Sequence, residues 1–181
     1  MNIPSNSWWH ARGELEVVAR SMHSRARLRL KQSKIWSINE TQQTYATTIG
    51  ATVYIPAEWT LEQVLWSLPH EVLGHVRQFH WAGLCIHPGA GIPLMVLIYG
   101  IFMFPVFLAW GRYRCELHAE ATAWAYHLRQ GAVSLAYVRL SAVSFAKAVS
   151  SSAYAWAVWP RWARWGFKRR AEAVIRRHAN G

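Results

Sequence analysis

The chain has 181 residues, of which 52% are hydrophobic and only 16% charged. This composition excludes a largely disordered protein. The length is sufficient for one domain with its own core, and we predict that a single domain spans residues 1–181. The net charge is +11 and all nine acidic residues are glutamates, so any carboxylate ligand or base must be a Glu. The basic excess predicts either an anionic partner, such as a membrane or nucleic acid, or only a solvated basic surface.

The N-terminal third predicts a helix followed by strands. Its first residues contain no apolar stretch typical of a cleavable signal peptide, which predicts a cytoplasmic protein. Apolar residues at helical spacing predict a helix over 13–23, and alternating Arg and apolar residues predict a half-buried strand over 25–30. Further strands are predicted at 34–38 and 48–55, separated by a polar loop. The second is rich in β-branched residues and stops at Pro56, which favours an edge strand.

A helix is predicted over about 60–81, and it contains the run HEVLGH. Thr60 with Gln63 three residues later has the pattern of a capping box. Pro69, directly before the run, predicts either a kink in this helix or the first turn of a new helix capped by Ser67.

Two histidines in this run have an unusual spacing for metal binding. The common HExxH motif holds two histidines four residues apart, about 40° around an α-helix. His70 and His75 are five apart, which is about 140° on a regular α-helix and too far round for one metal ion. A local π-helical distortion, eased by Gly74, would return both imidazoles to one face. Alternatively, the spacing is accidental, and Glu71 and His75 are only an i,i+4 pair.

Residues 91–110 are apolar and uncharged, long enough for a membrane span. A single span would, however, separate the HEVLGH run from the next helix, over about 111–130, by about 30 Å. We therefore favour a buried segment or one that contacts a membrane surface, and keep membrane association through 91–110 open. Two basic, Trp-rich helices are predicted within 133–178, after a core of about 13–131.

Together, HEVLGH and the later run ELHAE resemble the HExxGH and ExxAE motifs of the dipeptidyl peptidase III family of zinc peptidases. The resemblance implies that His70, His75 and Glu116 are the ligands of one Zn²⁺ ion. It implies that Glu71 is the general base and that Glu120 orients a ligand histidine or is an alternative ligand. It covers only these motifs, so we transfer the metal chemistry and not the dipeptide-releasing specificity.

More broadly, the chain resembles a minimal gluzincin, a zincin-like α+β domain that is mostly helical with a small antiparallel sheet. The resemblance implies that an edge strand binds the peptide substrate by adding it to the sheet. The predicted substrate-binding residues of that strand are Thr48, Ile49, Gly50, Ala51, Thr52 and Val53.

The sequence therefore predicts a zinc-dependent peptidase acting on a peptide or protein substrate. Arg114 is predicted to pair with a glutamate or to contact the substrate, whereas His80, His87 and His118 are expected not to be ligands. The alternative is a non-catalytic, basic, Trp-rich protein with a degenerate metal site that binds a membrane or nucleic acid through its C-terminal helices. A third possibility is an integral membrane metallopeptidase.

Overall fold

The computed structural model of the protein describes residues 7–31, 44–84, 87–96, 110–151 and 158–180. It is mostly helical with a small three-stranded mixed sheet, which confirms the predicted α+β class. Internal contacts group the chain into two compact units, Met1–Leu94 and Met95–Gly181. That both belong to one domain stays a prediction.

The first unit carries the sheet and the HEVLGH run. Its elements are a 3₁₀ turn (Trp8–Ala11), α1 (Arg12–Met22), β1 (Arg27–Leu30), β2 (Thr47–Ile49), β3 (Thr52–Ile55), α2 (Leu61–Leu68), a π-helix (Pro69–Val76), α3 (Arg77–Ala82), a second 3₁₀ turn (Pro88–Gly91) and the first three residues of α4 (Ile92–Val96).

Local sequence patterns predicted two features of these elements correctly. Leu28 and Leu30 are buried on β1 while the intervening arginines are exposed, as the alternation predicts. Thr60 and Gln63 form the predicted capping box, with reciprocal side-chain to backbone hydrogen bonds. The core beneath the sheet includes Trp8 and Val53, both fully buried.

The sheet differs from the prediction in two ways. Its strand order is β1-β3-β2, with β1 parallel to β3 and β2 antiparallel to it, so the predicted all-antiparallel sheet is wrong. The predicted single strand over 48–55 is instead a hairpin whose second strand is central. The chain turns at Gly50 (φ 62°), between the paired residues Ile49 and Thr52, because glycine adopts positive φ without steric cost. Of the two strands of this hairpin, β2 is therefore the outer one.

Between residues 110 and 180, the described part of the second unit forms three long helices, α5 (Trp110–Arg129), α6 (Leu135–Val149) and α7 (Pro160–Ala179). Gly131 ends α5 with φ 66°, as predicted, and Ser134 caps α6 through the backbone N–H of Tyr137. The core of this unit is centred on Trp124 and Phe167.

The predicted strand at 34–38 and most of the apolar segment 91–110 lie outside the described residues. Among the residues that are described, no helix combines the length and the apolar character needed to cross a membrane.

Candidate metal centre

The six residues HEVLGH all lie in the π-helix, which continues α2 without a break. Pro69 is its first residue, in helical conformation, where its missing N–H fits the change of hydrogen-bond pattern. Ser67 does not cap a new helix, because its hydroxyl donates to the carbonyl of Val64 at 3.0 Å. The predicted helix distortion near Gly74 is thus confirmed, and it extends over eight residues.

The π-helix brings the two histidines together. Its i→i+5 pattern places residues five apart on adjacent turns, as four-residue spacing does in an α-helix. Nε2 of His75 lies 3.1 Å from Nε2 of His70, and the ring planes meet at 74°. Two nitrogens bound to one tetrahedral zinc at about 2.05 Å would be about 3.3 Å apart. The separation therefore fits a shared metal ion after a shift of only tenths of an ångström.

Gln78 determines which ring nitrogen of neutral His75 carries the proton. The amide oxygen Oε1 of Gln78 lies 3.1 Å from Nδ1 of His75, and this oxygen can only accept. His75 therefore carries its proton on Nδ1 when neutral and presents the Nε2 lone pair to His70. Histidines that bind metals are held in this way by an acceptor on the second ring nitrogen. The contact was not predicted, although the i,i+3 spacing of His75 and Gln78 could have indicated it.

Glu71 is buried and is held by a strand residue. Oγ1 of Thr48, on β2, donates to Oε2 of Glu71 at 2.5 Å, a length typical of a hydroxyl bound to a carboxylate. Thr48 was predicted to contact substrate, and nothing in the sequence indicated this hydrogen bond. It fixes the orientation of Glu71 and leaves the second carboxylate oxygen for other contacts.

A buried lysine lies near this carboxylate. Nζ of Lys31 donates to the carbonyl of Tyr45 and, at 2.7 Å, to Oγ1 of Thr47, the strand neighbour of Thr48. Burial lowers the pKa of Lys31 to about 8, although the carboxylates of Glu71 and Glu58 partly oppose this shift. Lys31 therefore ties the end of β1 to β2 and places a cation close to Glu71.

In the second unit, Glu116 and Glu120 are both buried on α5, one helical turn apart. Oγ of Ser141, on α6, donates to Oε1 of Glu120 at 3.4 Å and accepts from Nε1 of Trp124 at 3.1 Å. A buried carboxylate needs such partners. Ser141 could not have been found from the sequence, because it lies on a different helix.

His70, His75 and Glu116 are a group that can hold a metal ion. Each offers one ligand atom, and these three atoms all lie within 4.8 Å of one another. Burial supports Glu116 as a member of this group, because the buried glutamates in the described parts of the chain are Glu71, Glu116 and Glu120. Glutamates are rarely buried without a partner or a metal.

Three other residues considered in the sequence analysis, Arg114, His118 and His87, are not among these possible ligands. Arg114 and His118 are exposed, and each is two positions from Glu116, about 160° around α5. A role for Arg114 in substrate contact stays a prediction. His87 accepts from the backbone N–H of Gly89 at 2.9 Å and so caps the second 3₁₀ turn. None of these three belongs to the group of possible ligands identified above.

His80 pairs with another histidine rather than with the candidate metal ligands. Its Nδ1 lies 3.0 Å from Nε2 of His23, and the rings meet edge to face. Nδ1 of His23 accepts from the backbone N–H of Arg25 at 3.4 Å, so the proton on Nε2 of His23 is the one donated to His80. The pair links the end of α1 to α3.

This pair predicts a loss of stability in acid. Burial, reinforced by His80, Arg77 and Arg25, lowers the pKa of His23. Because its folded-state pKa lies below the unfolded value of about 6.5, His23 contributes stability that is present above that pH and lost as the pH falls. We expect the free energy of unfolding in urea to fall less, between about pH 7.5 and 5.5, in His23→Gln than in the wild type. His178→Gln, on an exposed residue of α7, should keep the wild-type pH dependence, and an unchanged slope in His23→Gln would contradict the assignment.

In comparisons with known proteins, no protein-family model, curated protein or solved structure matches the chain.

Proposed function

We propose that the protein is a zinc-dependent peptidase, with His70, His75 and Glu116 as ligands of one zinc ion and Glu71 as the general base. The observation that carries this proposal is the π-helix, which brings the Nε2 atoms of His70 and His75 to 3.1 Å. An accidental five-residue spacing on an ordinary α-helix would have left these rings about 140° apart.

The donor set supports zinc of the catalytic type. Two imidazole nitrogens and one carboxylate are a set that zinc accepts, and three protein ligands leave a fourth position open. His75 has the tautomer that this role requires, because Gln78 accepts from its Nδ1. Glu120, hydrogen-bonded to Ser141, belongs to the surroundings of Glu116 in this proposal and is not a direct ligand.

The proposed reaction is hydrolysis of a peptide bond. A bound zinc ion supplies Lewis-acid chemistry, which makes water more acidic and polarises the substrate carbonyl. Glu71 takes a proton from the attacking water as its oxygen bonds to the carbonyl carbon, and then gives that proton to the leaving amine nitrogen as the C–N bond breaks. Thr48 holds one oxygen of Glu71 and leaves the other for the proton.

The outer strand β2 is the proposed substrate-binding element. Among the described residues it is paired on one side only, with β3, so the main-chain groups of its other edge are available to an extended peptide. Thr48 lies on this strand and contacts Glu71 directly, so a peptide added along β2 would pass close to the general base. The proposed substrate is therefore a peptide or an extended segment of a protein.

The test is metal content together with hydrolysis. Protein purified without chelator should contain about one zinc per chain by mass spectrometry of the metal. It should cleave an unfolded protein such as casein, and a chelator should abolish the cleavage until zinc is restored. Metal-free protein that cannot be loaded with zinc, or cleavage that survives the chelator, would sink the proposal.

A further inference from the structure

The second unit exposes large aromatic side chains that its own core does not use. Trp159, Trp162 and Trp165, at the start of α7, are 60%, 56% and 63% exposed. At about 100° per residue, Trp162 and Trp165 lie within about 60° of each other around the helix. They are opposite the side that buries Ala163 and Phe167. Apolar exposure of this size, clustered on one face, is typical of an interaction site.

Basic residues surround these tryptophans. Arg169 lies on the same face, with its guanidinium 5.2 Å from the centre of the Trp165 ring. Arg161 and Lys168 are exposed within about 60° of Trp165 around the helix. We name the tryptophans at 159, 162 and 165 and the basic residues at 161, 168 and 169 together the Trp-Arg face.

The charge around this face is of one sign. Residues 133–181 contain nine Lys or Arg and a single acidic residue, Glu172. That carboxylate is already engaged, because Nε of Arg139 donates to its Oε1 at 2.9 Å. No other carboxylate in this part of the sequence offsets the basic side chains. The charge complementarity therefore favours a polyanionic partner.

The apolar side chains favour lipid over nucleic acid as that partner. Tryptophan is enriched where a protein meets the membrane–water boundary, and a basic helix with aromatic residues is typical of interfacial binding. The neighbouring helix α6 also exposes aliphatic residues, Leu140 at 69% and Val143 at 62%. Aliphatic side chains offer no ring for stacking on bases, whereas they gain from insertion among lipid headgroups.

We infer that the Trp-Arg face of α7 docks on the surface of a bilayer rich in anionic phospholipid. Trp162 and Trp165 lie at headgroup depth, and the basic residues around them contact lipid phosphates. The contact is peripheral and depends on both the aromatic and the cationic side chains. This inference is independent of the proposed peptidase site, because none of its residues belongs to that site.

The test uses the full-length protein and large vesicles at about 0.15 M salt. We expect binding to vesicles with about 30% phosphatidylglycerol to exceed binding to pure phosphatidylcholine at least about tenfold. The double variant Trp162→Ala/Trp165→Ala should lose at least about tenfold in binding to the anionic vesicles. Trp81→Ala is the matched control, because Trp81 is 78% exposed on α3 of the other unit, and it should bind as the wild type does.

The charge contribution has its own variant. Arg161→Gln/Lys168→Gln/Arg169→Gln should lower binding to anionic vesicles about tenfold or more and leave the weak binding to neutral vesicles unchanged. Circular dichroism of every variant must match the wild type, and a variant that misfolds is replaced by the single substitution Trp165→Ala.

Three results would overturn the inference. One is equal binding to neutral and anionic vesicles, and another is wild-type binding by the double tryptophan variant. The third is failure to bind vesicles while a labelled single-stranded oligonucleotide binds and loses affinity in the same variants, which would assign the face to nucleic acid.

Discussion

The Glu71→Gln protein should keep its zinc and lose its peptidase activity. A glutamine side chain has nearly the same shape and can still accept a hydrogen bond from Thr48 through its amide oxygen, so the buried contact survives. It cannot take a proton from water near neutral pH. We expect kcat/KM to fall about 10²- to 10⁴-fold, the usual contribution of a general base, while the zinc content stays at the wild-type level.

Glu62→Gln is the matched control for this substitution. Glu62 is exposed in the first turn of α2, away from the buried glutamates, and the same chemical change there should leave kcat/KM within about twofold. Activity that persists in Glu71→Gln would remove Glu71 from its proposed role. If Glu71→Gln lost its zinc as well as its activity, the result would indicate that Glu71 is a zinc ligand and not the general base.

Zinc should raise the thermal stability of the protein, and His75→Ala should abolish that effect. A ligand that binds only the folded state at about 100 times its Kd stabilises by about 2.7 kcal/mol. For a chain of this length that is a rise in Tm of about 5–11 °C. His75→Ala removes both ring nitrogens, Nδ1 that contacts Gln78 and Nε2 that faces His70, so the rise should disappear.

His178→Ala controls for loss of a histidine as such, because His178 is exposed near the end of α7. Differential scanning fluorimetry with zinc, and separately with magnesium, gives the measurement. Magnesium prefers oxygen ligands and should produce no comparable rise. A zinc-dependent rise that survives in His75→Ala would move the metal to other residues.

Local sequence signals predicted the helical elements well, and they predicted that His70 and His75 lie close together. The capping box at Thr60 and the stop at Gly131 depend on residues adjacent in sequence, and both were found. The proximity of His70 and His75 was also predictable, because residues five apart can face one metal ion only where the helix is distorted. In each case a few neighbouring residues determine the geometry.

Contacts distant in sequence were not predictable in the same way. The pairing of β1 with β3 joins residues 25 positions apart, such as Arg27 and Thr52, and no local pattern specifies which strands meet. Gly50 split a β-branched run that alternation alone presents as one strand. The hydrogen bond from Ser141 to Glu120 depends on how two helices pack, which their separate patterns do not determine.

The π-helix also affects how α3 is rotated relative to α2 about the common helix axis. Val64 and Leu68 precede it and Phe79 follows it, and all three are buried. Removing one residue from HEVLGH would restore the common four-residue spacing and would leave the histidines on one face. Because the wide π-helical turn takes up the extra residue, the same deletion would close that turn to an α-helix and leave α3 close to its present rotation relative to α2. The π-helix therefore lets the chain carry one more residue between the two histidines while the buried residues before and after it stay in the core.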